Sequence, residues 1–366
     1  RIGSELSCDG VYRPHLIENV LESCSTRREV QERMARCRIF VGTVATLSAK
    51  TELFRLKTFD VALIDEATQI LEPQLLGLLC ARDVAGNNAI GKFILIGDHK
   101  QLPAVVLQSE SQSEVCEECL QSIGLYNLKD SLFERLYRTV SADHSSPTTQ
   151  RFYDMLCRQG RMNVEVAQFP NRAFYGGLLE AVGLPHQQGK LVLAPGLESD
   201  EFADILVHRV AFLPSVPETP SQSAKINHFE ARLTARLAAS VYRQYEASNS
   251  GFNSALTLGV ITPYRSQIAL IKREIAALGI PVLNDILVDT VERFQGSERD
   301  VIIYSFCVNR TYQLKFLANL TEEKGVWIDR KLNVALTRAR KQLFMTGVPH
   351  LLRQNPIYAD LLDTVL

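Results

Sequence analysis

Two runs, FDVALID at 59–65 and KFILIGD at 92–98, are apolar almost throughout and then stop at a carboxylate. A strand with one wet face alternates apolar and polar residues. A short, nearly continuous apolar run is expected instead of a parallel strand covered on both faces. IFVGT at 39–43 has the same character and predicts a third strand. Residues 73–80 read as a helix between the runs at 59–65 and 92–98, so the order is strand–helix–strand, the grammar of a right-handed α/β layer.

The second half repeats that grammar. Strands are expected at 255–262, 286–290, 300–307 and 342–347, and helices at 149–157, 227–245, 264–278 and 331–339. The helix at 227–245 carries apolar residues at helical spacing, which marks it as core. Residues 1–38 read as helical and polar, and the tail from Leu351 as a short apolar helix at the surface. No internal repeat is present. A length of 366 residues suits roughly two domains. The change of character falls at 108–147, which is rich in Ser, Gln and Glu, turns helical at 128–138, and reads as a turn or disordered at 141–147. A second loop, rich in Pro and Ser, is expected at 214–223.

Composition narrows the classes. Apolar residues make up 46% and charged residues 22%, ordinary globular usage that excludes a disordered or collagen-like chain. Lys plus Arg is 40 against 41 Asp plus Glu. That balance excludes a histone-like basic coat but leaves room for a local basic groove. No apolar run approaches the roughly 18 residues of a membrane span. The chain starts at Arg1 without a signal peptide, and the expectation is a piece of a longer intracellular protein. Of eight cysteines only Cys116 and Cys119 form a CxxC pair. With no second pair and no HxxxH, reduced thiols are expected rather than a zinc site.

The chemistry is expected at strand ends. Asp65 and Glu66 close an apolar run, where open α/β sheets place ligands. One carboxylate there can hold Mg²⁺ and its neighbour can orient or deprotonate a water. A solvated acidic pair in a turn explains the same residues. The next run ends in GDHKQLP, in which Gly97 permits a tight turn. Gln101 can reach a phosphate and a water together, and Asp98 can bond back to the acidic pair or its metal. Arg161 in QGRMN and Arg338 in NVALTRAR are candidate arginine fingers, because a planar guanidinium offsets charge on a transferring phosphoryl group. A plain surface arginine is the alternative. Tyr264, after Pro263, is equally a base-stacking ring or a packed loop anchor.

In order, DEATQ, GDHKQLPAVV, QGRMN, ITPYRSQ, TVERFQGSERDVII and NVALTRAR resemble the motifs of superfamily 1 helicases. The resemblance covers about residues 40–348. It is strongest to the branch of the nonsense-mediated-decay RNA helicase and the flap-processing nuclease-helicases. It implies an α/β fold of two RecA-like P-loop NTPase lobes with parallel sheets, the first lobe N-terminally truncated. The lobes would be 1–107 and 148–366, with 108–147 an insert or linker.

The resemblance also implies roles. Asp65 would hold Mg²⁺, Glu66 would be the catalytic base and Gln101 the γ-phosphate sensor. Arg161 and Arg338 would be fingers, and Asp98, Gly296 and Glu298 would lie near the nucleotide. Thr43, Pro103, Thr262, Tyr264 and Thr290 would line a nucleic-acid track. ATP and Mg²⁺ are the implied cofactors, and single-stranded DNA or RNA the implied partner, with movement 5′ to 3′. Protein partners would bind through 108–147 or through domains upstream, and no membrane is implied. Two departures stand out. No GxxxxGK[ST] occurs in 1–366, so the fragment alone is expected to hydrolyse little or no ATP. Gly160 stands where relatives often carry an aromatic, which puts adenine selection in doubt. The alternative from another class is a helicase-like scaffold that binds nucleic acid or protein without turnover; a nuclease would need more clustered carboxylates.

Overall fold

The computed structural model describes residues 1–142, 152–218, 224–248, 250–323 and 325–366. The chain divides into two compact units, Arg1–His99 with Pro103–Asp154, and Lys100–Leu102 with Met155–Leu366.

In the first unit β1 (Phe59–Ile64) pairs in parallel with β2 (Ile90–Leu95), in register from Phe59 opposite Ile90 to Ile64 opposite Leu95. The crossover contains the helix Glu72–Leu79, which buries Leu75 and Leu78. Two expectations are corrected here. The run at 39–43 forms no strand; its Val41 carbonyl accepts from the Ile2 N–H and its Thr43 carbonyl from the Leu47 N–H of the next helix, and Ile39 and Val41 are exposed. Apolar composition without a neighbouring strand makes no ladder. The sheet is also open on one side, since Val61, Leu63, Ile94 and Ile96 are exposed.

The segment expected as an insert packs as part of this unit over its described residues. Leu132, in the helix Leu132–Ala142, enters the same core as Leu75 and Leu78. Arg135 of that helix donates through Nε to Glu72 Oε2 at 2.7 Å and also through Nη2 to Oε1. Of the turn or disordered segment expected at 141–147, residues 141–142 instead close the helix Leu132–Ala142, and 143–147, like the start of the helix expected at 149–157, lie outside the described residues. Residues 152–157 are not helical.

The second unit begins with a short parallel pair, β3 (Arg158–Gln159) and β4 (Glu180–Ala181). Its centre is a five-stranded parallel sheet of β5 (Val210–Pro214), β6 (Leu258–Ile261), β7 (Leu287–Asp289), β8 (Arg299–Ser305) and β11 (Ala339–Gly347), in the order β5-β11-β8-β6-β7. Here both faces are covered, and Leu258, Val260, Val301, Ile302, Ile303 and Phe344 are fully buried. The strand at 255–262 is trimmed to Leu258–Ile261, because residues 254–257 form a turn. An antiparallel hairpin of β9 (Leu320–Glu323) and β10 (Val326–Asp329) precedes the helix Arg330–Leu336. The tail is not a surface helix: Leu352, Tyr358, Leu361 and Leu362 lie in the main core of this unit.

The helix His228–Ala247 is core, as its spacing predicts, yet it carries one acid into that core. Glu230 is fully buried. It accepts from Ser215 Oγ at 2.9 Å, Ser305 Oγ at 2.7 Å and the Cys307 N–H at 2.9 Å, which ties the ends of β5 and β8 to the helix. Burial pushes its carboxyl up to about 7 against the pull of these three donors. The folded state therefore holds the proton more tightly than the unfolded chain, whose value is near 4.5. This contribution is complete below pH about 4.5 and fades as pH rises through about 7, a change of roughly 3 kcal/mol. The E230Q variant removes the titration. Urea unfolding of the second unit is expected to weaken from pH 4.5 to 7 in the parent chain relative to E230Q. Parallel pH curves would contradict it.

Candidate functional site

β1 delivers Asp65 and Glu66 in one step. Glu66 has φ 52° and ψ 38°, a left-handed conformation that a glutamate rarely adopts. The turn is held from three sides. The Glu66 N–H donates to Asp65 Oδ1 at 2.9 Å, Gln69 Nε2 donates to Glu66 Oε2 at 2.7 Å, and the Ala67 N–H donates to the Ile96 carbonyl at 2.8 Å. Both carboxylates are exposed. Strain of this kind, of order 1–3 kcal/mol, persists where surrounding structure enforces it and is enriched at functional sites.

Gly97 is needed for a different reason from the one the sequence suggests. A Cβ there would sit 3.0 Å from Thr68 Cγ2 and 3.1 Å from Thr68 N. The strand end after β2 therefore lies against the turn that bears Glu66, and only glycine leaves the room. Asp98 follows directly, half-buried. Thr43 is exposed and caps the helix Val44–Ala49 by accepting from the Thr46 N–H. Pro103 is half-buried in this unit.

A metal fits the acidic pair on donor chemistry. Asp65 offers hard carboxylate oxygens on an exposed turn, which suits Mg²⁺. Among the described residues no group of three or more His, Cys, Asp or Glu side chains could hold a metal. Mg²⁺ is the ion that binds through one or two carboxylates and completes its shell with water and phosphate oxygens. Cys116 and Cys119 are exposed free thiols.

In the second unit the candidate residues separate to opposite ends of one sheet. Glu298 and Arg338 stand immediately before β8 and β11, at their amino ends. Thr262, Thr290 and the segment after Ser305 follow β6, β7 and β8, at their carboxyl ends. The amino end brings four candidates together. Arg161 Nε donates to Glu298 Oε2 at 2.8 Å, and its Nη1 to the Thr337 carbonyl at 3.4 Å. Arg338, 2% exposed, donates to the carbonyls of Val334 and Ser297 and, at 3.2 Å, to Gln101 Oε1. Gly296 has φ +75°, the left-handed region, so the turn before Glu298 requires glycine.

The loop bearing Arg161 is rigid because its neighbours are spoken for. Gln159 exchanges two bonds with Met162, and Asn163 caps the helix Val164–Tyr175 while its amide donates to the Gln187 carbonyl at 2.8 Å. The Arg161–Glu298 pair is about two-fifths exposed on each side. Such a pair is worth no more than about 1 kcal/mol. Exchanging the carboxylate for a phosphate therefore costs little.

At the carboxyl end Thr262 is corrected as a lining residue. It is fully buried, its N–H continues the β6–β7 ladder to the Asp289 carbonyl, and its hydroxyl has no partner among the described residues. Because the pairing runs one residue past the strand, the side chain still points into the layer. Thr290 is half-buried at the start of Val291–Phe294. Tyr264 is half-buried and its hydroxyl accepts from Gln313 Nε2 at 3.1 Å; burial raises its pKa. That hydroxyl contact is what the packed-anchor reading expects.

Sequence reasoning missed Asp329. It is fully buried and accepts from the N–H groups of Asn319, Lys331 and Leu332 and from the Tyr358 hydroxyl. It caps the helix that leads to Arg338. Burial pushes its carboxyl up despite the donors. The only signal was its place two residues before KLNVALTRAR.

Comparison with known proteins agrees with this arrangement. A family model described as an AAA domain matches residues 128–350, and a second with the same description matches residues 18–109. The chain is 30% identical over 343 residues to an uncharacterized ATP-dependent helicase of Methanocaldococcus jannaschii, covering 92% of this chain and 43% of that protein. It is 32% identical to the DNA replication ATP-dependent helicase/nuclease DNA2 of Xenopus laevis, over 82% of this chain and 26% of the relative. It is 26% identical to the DNA polymerase alpha-associated DNA helicase A of Saccharomyces cerevisiae, over 87% and 44%. The chain thus spans less than half the length of these relatives. With AAA domains matched across both halves, it belongs to the superfamily 1 helicases, in the branch of the nonsense-mediated-decay RNA helicase and the DNA replication helicase/nucleases.

Proposed function

We propose that the full-length protein hydrolyses ATP to move along single-stranded DNA or RNA and unwind it. The observation that carries this reading is the enforced left-handed turn at Glu66, which holds two exposed carboxylates at the end of β1. In this reading Asp65 holds Mg²⁺ and Glu66 takes the proton of the attacking water. Mg²⁺ held there would supply positive charge to offset that of the phosphates. Gln101 contacts the γ-phosphate and the guanidiniums of Arg161 and Arg338 stabilise charge on it. Asp98, Gly296 and Glu298 border the nucleotide. Thr43, Pro103, Tyr264 and Thr290 contact the strand. Movement is 5′ to 3′, and the protein acts inside the cell on unpaired strands. The names of two relatives, a DNA replication helicase/nuclease and a DNA helicase, support testing DNA first.

No GxxxxGK[ST] occurs in residues 1–366. The proposal assigns that loop to sequence preceding Arg1. Residues 1–366 alone are expected to show under about 1% of the ATP turnover of the full-length protein, since the loop cradles the phosphates. The test compares both proteins with and without single strands, and then on DNA and RNA duplexes with 5′ or 3′ overhangs. Strand-stimulated turnover and unwinding from a 5′ overhang, by the full-length protein only, is the expected result. Full turnover by 1–366 would overturn the loop assignment. Absence of turnover in the full-length protein would favour the scaffold.

A further inference from the structure

We propose that the exposed face of residues 310–316 is a binding surface for single-stranded nucleic acid, where Tyr312 and Phe316 stack on bases and Arg310 and Lys315 meet phosphates. The inference rests on the reading of this chain as a strand-binding motor and adds a site to it.

The segment follows the carboxyl end of β8. A single 3₁₀ turn, Thr311–Gln313, runs into the helix Leu314–Leu317. Leu314 and Leu317 face the core, while Tyr312 is 52% and Phe316 65% exposed. Their ring centroids are 6.5 Å apart with planes at 86°. Arg310 and Lys315 are exposed, and neither forms an ion pair among the described residues. Scattered exposed apolar side chains are normal on a protein surface. Two aromatic rings in contact, flanked by two cations without carboxylate partners, have the composition of a single-strand platform, in which rings take bases of any identity and cations track the backbone.

The backbone beneath is fixed by one buried side chain. Gln313, 1% exposed, accepts at Oε1 from the N–H groups of Asn309 and Arg310, both at 2.9 Å. Its amide donates to the Ala224 carbonyl at 2.8 Å and to the Tyr264 hydroxyl at 3.1 Å. Asn309 in turn donates to the Ile226 carbonyl at 2.7 Å and accepts from Asn227 Nδ2 at 2.8 Å. The platform and Tyr264 are therefore locked to each other through Gln313. The backbone that carries the rings needs no ordering on binding, which favours a strand that stacks. An acidic peptide would use the cations but not this continuity with Tyr264.

The test uses the full chain, a fluorescein-labelled 20-mer of mixed DNA or RNA sequence, and anisotropy over a range of salt. The double variant Y312A/F316A is expected to bind roughly 10- to 100-fold more weakly, with the salt slope unchanged. R310Q/K315Q is expected to lose about 1.4 from the slope of log affinity against log salt, the share of two phosphate contacts. Q313A is expected to weaken binding as well, and Q313E, which keeps the acceptor oxygen, to recover part of it. All replaced surface side chains are exposed, so thermal unfolding should be unchanged. If the parent chain binds the 20-mer and both double variants bind it equally well with the same slope, the platform is wrong and the motor reading stands. If no variant and no parent protein binds any single strand, both fail. Retained 20-mer binding with lost binding to poly-glutamate would assign the surface to an acidic protein partner and overturn the proposal.

Discussion

Replacing Arg338 by alanine in the full-length protein is expected to lower ATP turnover by roughly 10³–10⁵-fold, the range for removal of an arginine finger. The reason lies in how the side chain is held. Its Nε bonds the Val334 carbonyl one helical turn back, and its other nitrogens reach the Ser297 carbonyl and Gln101 Oε1. A guanidinium fixed on several sides keeps its charge where it is needed without reorganising. R338K keeps the charge but not the planar fork, and is expected to recover less than about a tenth of the loss. Steady-state kinetics decide it. A fall in kcat with ATP KM changed only a fewfold fits a group that acts on the transition state; a rise in KM at constant kcat would assign Arg338 to ground-state binding.

Glu66→Gln is expected to cost roughly 10²–10⁴-fold in turnover, the share of a general base, and to leave ATP affinity nearly unchanged. Glutamine is close in shape, bears the same left-handed backbone cost, and can keep an oxygen for Gln69 Nε2. What it cannot do is accept a proton. Filter binding of labelled ATP beside phosphate release separates the two quantities. Turnover unchanged by the substitution would remove Glu66 from the chemistry.

How much of this was legible in the sequence depends on whether neighbours in space were also neighbours in the chain. β6, β8 and β11 announce themselves because strands covered on both faces need unbroken apolar runs. The run at 39–43 has the same composition and fails, since among the described residues no strand pairs with it. β5 is short, lies at the sheet edge and ends in Pro214, so it left little pattern. No element is expected at the hairpin β9–β10, whose first strand carries Glu322 and Glu323. The site divides in the same way. Asp65, Glu66, Arg161 and Arg338 stand beside strands or helices with strong periodicity and could be placed from the chain alone. Glu230, Asn309, Gln313 and Asp329 could not. Each is a single polar residue whose partners are far off in sequence, as Glu230 is from Ser305. Only folding reveals that they are buried.

In the proposed function Glu66 and Arg338 serve one and the same phosphoryl transfer. A double-mutant cycle on kcat, with E66Q and R338K singly and together in the full-length protein, tests this directly through release of labelled γ-phosphate. Groups that act as a unit are strongly non-additive, so the double variant is expected to be scarcely slower than the slower single one. Losses that multiply would show two independent steps and contradict the account.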